Sequence, residues 1–105
     1  MSAVEAFLDE SDTGFFSLRG RLTRENVAEL WARGTEALAG SSSVDLDLEQ
    51  VSMCDTAGVA MLVDWLRIAR SNAHELRFHG APDQMLAIAG VSDLAQLLDD
   101  SKGRP

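Results

Sequence analysis

The sequence lacks the features that mark several large classes of protein. One cysteine among 105 residues cannot form an internal disulfide, which favours a reducing compartment. No apolar run approaches the length of about 20 residues that a membrane-spanning helix needs. Met1 is not followed by a basic segment and an apolar run, so we expect no signal peptide. Together these absences predict a cytoplasmic protein.

Basic residues are also in the minority. Lys and Arg number 9 against 17 Asp and Glu, which gives a formal net charge of -8. We expect no nucleic acid partner and no direct membrane insertion, because nucleic acid and anionic membrane surfaces both repel an acidic protein. The length predicts a single domain over residues 1–105, with a loose tail at about 101–105.

Known motifs of catalysis and cofactor binding are missing. The chain contains no Gly-x-Gly-x-x-Gly, no Walker A sequence and no Gly-x-Ser-x-Gly. His74 and His79 lack the spacing of a known metal motif, so we expect them on the surface beside a strand. Asp45 and Asp47 suggest acid–base chemistry, but their spacing places both on the solvent face of a strand, which is the interpretation we favour. We predict no catalytic residue, no metal and no cofactor.

The stretch from 52 to 59, Ser-Met-Cys-Asp-Thr-Ala-Gly-Val, has the pattern of a strand end, a tight turn and a helix start. Asp55 stands at the N-cap position, and Thr56 lies at or next to the first helical position. Gly58 falls in the first turn, where glycine costs about 1 kcal/mol relative to alanine, and a close approach to that turn would explain it. We expect Cys54 to be buried and inert. The alternative is a reactive thiol, because the amides of a helix N-terminus lower a thiol pKa.

Alternation and helical spacing give the order of the other elements. The prediction begins with strands at 3–8 and 15–19, with turn residues 10–14 between them and a connection at 20–22 after them. A helix from the Thr23 cap to about Ala39, a strand at 44–48 and the long helix to about Asn72 follow. The prediction ends with a strand at 76–79, a short helix from Pro82 to Gly90 and a last helix capped by Ser92. Strands joined through helices should be parallel. Each main strand has a polar face, so the helices should cover one face of the sheet only.

The long helix and its first residue each allow two interpretations. Its apolar arc is wider than a sheet requires, because Met61, Trp65 and Ile68 extend the stripe. Neighbouring helices would bury these residues, or they would form a partner surface, where Trp and Met are enriched. The Thr56 hydroxyl would simply help to cap the helix, or it would accept a phosphate that helix amides stabilise and Asp55 repels.

The acidic strand 44–48, followed by Asp-Thr-Ala-Gly at 55–58 and an apolar helix, resembles the STAS domain of anti-sigma-factor antagonists. That family carries an aspartate, two small residues that are often serine or threonine, and a glycine. More narrowly, the chain is similar to the MlaB-like STAS subunits of bacterial phospholipid-transport ABC systems, through Ser-Leu-Arg-Gly at 17–20, Leu-Trp at 30–31 and its length. The resemblance implies an α/β fold: a STAS-like mixed sheet of four to five strands with about four helices, mainly on one face.

One position departs from the pattern of the anti-sigma-factor antagonists. They are typically phosphorylated on the second small residue, which is Ala57 here, so that only Thr56 keeps a hydroxyl. The resemblance therefore favours the transporter subunit, in which the STAS protein binds and supports the cytosolic ATPase while other subunits handle lipid. The alternative is an anti-sigma-factor antagonist whose binding to an anti-sigma factor or kinase is controlled by phosphorylation. Thr56 would then be the phosphorylation site. A small enzyme or nucleotide binder lacks any motif.

We predict a non-enzymatic interaction module whose partner is the MlaF-like ATPase subunit of a phospholipid ABC transporter. That system serves intermembrane lipid transport and maintains outer-membrane lipid asymmetry. Binding to its ATPase would hold the protein at the cytoplasmic side of the inner membrane. The predicted partner-binding residues lie in the turn and on the long helix: Asp55, Thr56, Ala57, Gly58, Met61 and Trp65.

Overall fold

The computed structural model describes residues 6–91, which form a five-stranded mixed sheet and three helices. Strands β1 (Ala6–Asp12) and β2 (Phe15–Leu22) make an antiparallel hairpin, as predicted. The predicted strand residues 3–5, the last helix from Ser92 and the tail at 101–105 lie outside the described residues.

Both hairpin strands extend beyond their predicted ends. Residues 10–12, predicted as a turn, continue β1, and residues 20–22, predicted as a connection, continue β2. The added part of β2 is held by pairing, since the Gly20 amide donates to the Gln50 carbonyl at 3.0 Å and the strand after Gln50 runs alongside it. A strand partner supplied by distant residues therefore overrides the loop that the local composition indicates.

Three further strands complete the sheet, and each runs parallel to its neighbour: β3 (Ser43–Asp47), β4 (Val51–Cys54) and β5 (Glu75–His79). The strand order is β1-β2-β3-β5, with β4 beside the second half of β2. The sequence pattern predicts no boundary between β4 and the strand before it. The separation comes from a turn at 49–50, where the Val51 amide donates to the Leu48 carbonyl at 3.1 Å.

The three helices are α1 (Arg24–Leu38), α2 (Thr56–Ser71) and α3 (Asp83–Val91). Thr23 takes the predicted N-cap position of α1, and Pro82 directly precedes α3, where the Leu86 amide donates to its carbonyl at 3.1 Å. The prediction that Gly90 ends the short helix is wrong, because α3 continues to Val91. A helix-interior glycine costs about 1 kcal/mol, which tertiary packing can offset. None of the helices between residues 6 and 91 has the length and apolar character needed to cross a bilayer.

The hydrophobic core lies between the helices and one face of the sheet. Its largest fully buried side chains are Trp65, Phe78, Leu18, Leu22, Leu46, Leu48, Leu62, Met85 and Val59. The alternate residues of the strands point to the opposite face and stay partly exposed: Ser17, Arg19, Asp45, Asp47, Arg77 and His79. The predicted α/β arrangement, with parallel crossovers and helices on one face, is confirmed.

Candidate functional site

The turn between β4 and α2 is organised by one carboxylate. Asp55 is the N-cap of α2, in extended backbone, and its Oδ1 accepts the Gly58 amide at 3.1 Å. Its second oxygen, Oδ2, accepts the amide of Arg24 at 3.0 Å, and Arg24 is the first residue of α1. The first amides of a helix have no partner within the helix. One side chain therefore satisfies an amide at the start of each of two helices and fixes the two ends side by side.

The glycine of the turn allows β2 to approach α2 closely. A Cβ built on Gly58 would lie 2.3 Å from the carbonyl oxygen of Leu22, far inside van der Waals contact. The same carbonyl accepts the Asp55 amide at 3.1 Å. The close approach predicted for Gly58 is thus to the end of β2, so this glycine is buried within the chain rather than turned toward a partner.

Thr56 and Ala57 form the accessible part of the turn. Thr56 is exposed at the first position of α2, and Ala57 is half-buried. Met53, two residues before Asp55 on β4, is 39% exposed and adds an apolar side chain nearby in sequence. The hydroxyl of Thr56 therefore stands at a rigid, solvent-facing corner whose backbone is held by Asp55.

Met61 and Trp65 do not lie on an exposed surface, and this part of the predicted binding site needs correction. Met61 is 4% exposed and Trp65 only 2% exposed. The Trp65 ring packs against α1 where Gly34 leaves room for it, and its Nε1 donates to the Thr35 Oγ1 at 3.2 Å. The wide apolar arc of α2 thus serves the contact with a neighbouring helix, which is the first of the two interpretations given above.

A groove between α1 and α2 was not predicted from the sequence. Its lining residues come from both helices: Val27, Ala28, Trp31, Ala57, Ala60, Met61, Val63, Asp64 and Arg67. Trp31 is 39% exposed at its edge, and its Nε1 donates to the Asp64 Oδ2 at 2.5 Å. Trp31 belongs to the apolar stripe of α1, and only the position of α2 shows that it borders a groove instead of the core.

The single cysteine lies beneath the turn. Cys54 is 3% exposed, as predicted, and its Sγ donates to the Asp55 carbonyl at 3.4 Å. Burial, with the charge of Asp55 as a smaller cause, raises the pKa of the Cys54 thiol to about 11. The thiol is therefore protonated at neutral pH, and its inertness remains a prediction.

The acidic residues of β3 lie on the open face of the sheet, as predicted. Asp45 accepts Arg77 in a bidentate contact, with 2.8 Å from Nε to Oδ1 and 3.0 Å from Nη2 to Oδ2. His79 Nε2 lies 2.7 Å from the same Oδ1. The hydrogen bond from Arg77 lowers the pKa of Asp45 to about 2, with His79 contributing. Asp45 therefore stays ionised and forms a structural ion pair with Arg77 on the open face of the sheet.

The sequence of the chain matches a known protein family. The family model described as "Mlab, STAS domain" matches residues 6–99. The chain is 28% identical over 94 residues to the intermembrane phospholipid transport system binding protein MlaB of Escherichia coli, covering 90% of this chain and 93% of that protein.

Solved structures agree on the fold. The unphosphorylated anti-sigma factor antagonist SpoIIAA superposes with a TM-score of 0.69 at 16% identity, over 95% of this chain and 98% of that one. An anti-sigma factor antagonist from Mycobacterium paratuberculosis gives a TM-score of 0.71 at 15% identity, over 91% of this chain and 88% of that one. At these identities the likeness concerns architecture. Because the family match over residues 6–99 covers all of the described residues, the chain belongs to the MlaB family of STAS domains.

Proposed function

We propose that this chain is the non-enzymatic STAS subunit that binds and supports the cytosolic ATPase of a phospholipid ABC transporter. The observation that carries the proposal is the family match over residues 6–99. It is supported by the 28% identity, over 90% of this chain, to a protein named as a binding protein of an intermembrane phospholipid transport system. In this role the chain would act from the cytoplasmic side of the inner membrane and would serve lipid asymmetry through the complex.

The docking surface in this proposal is centred on Asp55, Thr56 and Ala57. The exposed Thr56 sits on backbone that the Asp55 carboxylate ties to both α1 and α2, so little freedom is lost when a partner covers it. Gly58 supports this surface from below through its contact with β2. Met61 takes part only as the floor of the adjacent groove, and Trp65 holds α1 and α2 together.

The side chains that would be candidates for chemistry support a binding role. The Asp45 carboxylate is committed to Arg77 and His79, which leaves it a weak base. Burial leaves the Cys54 thiol protonated, and protonated thiols are poor nucleophiles. Among residues 6–91 there is no group of three or more His, Cys, Asp or Glu side chains arranged to hold a metal ion.

The second candidate function is that of an anti-sigma-factor antagonist, which the architecture shared with SpoIIAA favours. The hydroxyl that such a switch would need is available on Thr56, which is exposed. Ala57, at the position that is typically phosphorylated, opposes it. The transporter role is therefore the one we propose.

Affinity purification from the native cell separates the two functions. A tagged copy of the chain, expressed at its natural level, should recover the ATPase of an ABC transporter together with its membrane subunits. Recovery of an anti-sigma factor or a kinase without the ATPase would replace the proposal by the second candidate. Recovery of neither class, from cells in which the tagged chain complements a deletion, would contradict both.

A further inference from the structure

The end of β4 lies at an open edge of the sheet. β4 pairs with β2 on one side, and no other strand among residues 6–91 pairs with it. The Asp55 amide points toward β2, because it donates to the Leu22 carbonyl at 3.1 Å. Consecutive residues of an extended strand direct their amides to opposite edges, so the Cys54 amide points away from β2. An amide in this position needs a partner from outside the sheet.

A side chain of α3 supplies that partner. The Oε1 atom of Gln84 accepts the Cys54 amide at 3.2 Å, across 30 positions of sequence. Cys54 is buried, so little of the residue is open to water that could replace Gln84. The acceptor is held in place, because Gln84 is the second residue of α3 and the next residue, Met85, is fully buried in the core. Gln84 therefore takes the place of a further strand at the edge of β4.

The backbone that leads into α2 is thus held by three elements. β2 contributes the Leu22 carbonyl and α1 contributes the Arg24 amide, and Asp55 binds both. α3 contributes the Gln84 side chain, which holds the residue before Asp55. The supports from β2 and α1 are backbone groups, which every residue type retains. The support from α3 is a side chain, so it depends on the chemistry of one residue and on the position of its helix.

We infer that Gln84 is a positioning residue for the corner at Thr56, through which a displacement of α3 is transmitted to the first turn of α2. The path is short, because Cys54 directly precedes Asp55, whose Oδ1 accepts the Gly58 amide. Coupling between two positions is reciprocal, so a partner that holds the corner also holds α3. The inference gives α3 an influence on the docking surface, and it rests on the proposed function for the identity of the partner.

Amide hydrogen exchange of the isolated chain, followed by NMR, tests the coupling without any partner. Gln84→Met keeps the length and helix propensity of the side chain but removes the acceptor. In this variant the amides of Cys54 and Gly58 should exchange about tenfold faster or more, and the amide resonance of Thr56 should shift. The amide of Leu62, in the middle of α2, reports overall stability and should be accelerated much less.

Two further variants show whether the effect belongs to the hydrogen bond. Gln84→Glu retains an acceptor oxygen and should exchange like wild type. Ala87→Met places the same new side chain on a nearby exposed position of α3 and should also match wild type. Acceleration at Cys54 without acceleration at Gly58 would show that the bond does not position the corner. Equal acceleration of Cys54, Gly58 and Leu62 would reduce the effect to a loss of overall stability, and either result would overturn the inference.

Binding to the purified ATPase subunit separates the inference from the proposed function. Gln84→Met should weaken the Kd about threefold or more, whereas Gln84→Glu and Ala87→Met should stay within about twofold of wild type. Wild-type affinity in Gln84→Met would overturn the inference and leave the proposed function intact. If the wild-type chain does not bind the ATPase subunit, the proposed function fails, and the exchange of the Gly58 amide in the isolated chain still decides whether Gln84 positions the corner.

Discussion

The carboxylate of Asp55 accepts the backbone N–H of Arg24 at 3.0 Å, across 31 positions of sequence, while its other oxygen caps its own helix. A single N-cap side chain contributes about 0.5–2 kcal/mol, and hydrogen bonds to charged groups contribute about 1.5–3 kcal/mol each. The two bonds of Asp55 thus connect the start of α1 to the start of α2, and they set the geometry of the corner on which Thr56 stands.

Removal of the Asp55 side chain should therefore cost more than the loss of an ordinary cap. We expect Asp55→Ala to lower the free energy of unfolding by about 2–3 kcal/mol, and Asp55→Asn to lower it less, since its amide oxygen can still accept one of the two N–H groups. Urea denaturation of the three proteins measures both values. An unchanged midpoint for Asp55→Ala would show that the double cap has no energetic weight.

Gly34 and Trp65 give a second stability prediction, at the contact between α1 and α2. A Cβ on Gly34 would lie 2.1 Å from Cζ2 of the Trp65 ring, and overpacking of this kind typically costs about 1–3 kcal/mol. Gly34→Ala should be destabilising by that amount despite the better helix propensity of alanine. Gly40→Ala is the matched control, because its new Cβ would meet only the Ala37 carbonyl oxygen at 3.4 Å. Thermal melts in which both variants match wild type would contradict the packing described.

The ion pair between Asp45 and Arg77 predicts a pH dependence of stability. The pKa of Asp45 is lowered from 3.8 to about 2 in the folded chain. A lowered pKa stabilises the fold at pH values above the unfolded pKa, and the contribution is lost as pH falls through the folded pKa. One pKa unit corresponds to about 1.4 kcal/mol, so the contribution is up to about 2 kcal/mol above pH 5 and disappears toward pH 2.

The difference in unfolding free energy between wild type and Asp45→Asn isolates this contribution. It should be largest near pH 5 and shrink steadily as the pH falls from about 4 to 2. Arg77→Met should reduce the same pH dependence, because it removes the principal cause of the lowered pKa. A difference that stays the same between pH 6 and pH 2 would be incompatible with the ion pair.

The inertness of Cys54 is tested by labelling. With its pKa raised from 9.0 to about 11, the thiolate fraction at pH 8 is about a hundredfold lower than for an ordinary cysteine, and the side chain is also buried. A thiol reagent should react slowly with the native chain and rapidly after denaturation in urea. Because the chain has one cysteine, the signal belongs to this site, and rapid labelling of the native chain would disprove the prediction.

Local sequence signals are sufficient for the type and order of most elements and for the cap of α2. An aspartate before an apolar helix identifies Asp55 correctly, because an N-cap depends on neighbours within four residues. The glycine at position 58 predicts a close approach correctly, although the residue that it approaches, Leu22, is distant in sequence and is not indicated by any local pattern.

Contacts between distant elements account for what the sequence did not predict. The turn at 49–50 separates β4 from β3, and β4 then pairs with the end of β2, a contact between distant residues that no periodicity within 43–54 contains. The assignment of Trp65 to a partner surface was wrong because its partner is α1, where Gly34 makes room for the ring. Conversely, Trp31 has the spacing of a core residue, and only the placement of α2 leaves it at a groove.

We propose that the corner at Thr56 binds the ATPase subunit, and the Thr56→Glu variant probes that contact. The new carboxylate lies at a helix N-terminus, where the dipole favours it by about 0.3–1 kcal/mol, so the isolated variant should fold. Buried unpaired in an interface, the same carboxylate costs several kcal/mol, which corresponds to a loss of affinity of about a hundredfold or more. Thr13→Glu, at the exposed hairpin turn, adds the same charge away from the corner and serves as the control.

The measurement is the Kd of each variant for the purified ATPase subunit, taken together with its melting temperature. We expect Thr56→Glu to melt like wild type and to bind about a hundredfold more weakly, while Thr13→Glu matches wild type in both measurements. A Thr56→Glu variant that folds and binds the ATPase subunit with wild-type affinity would contradict the claim.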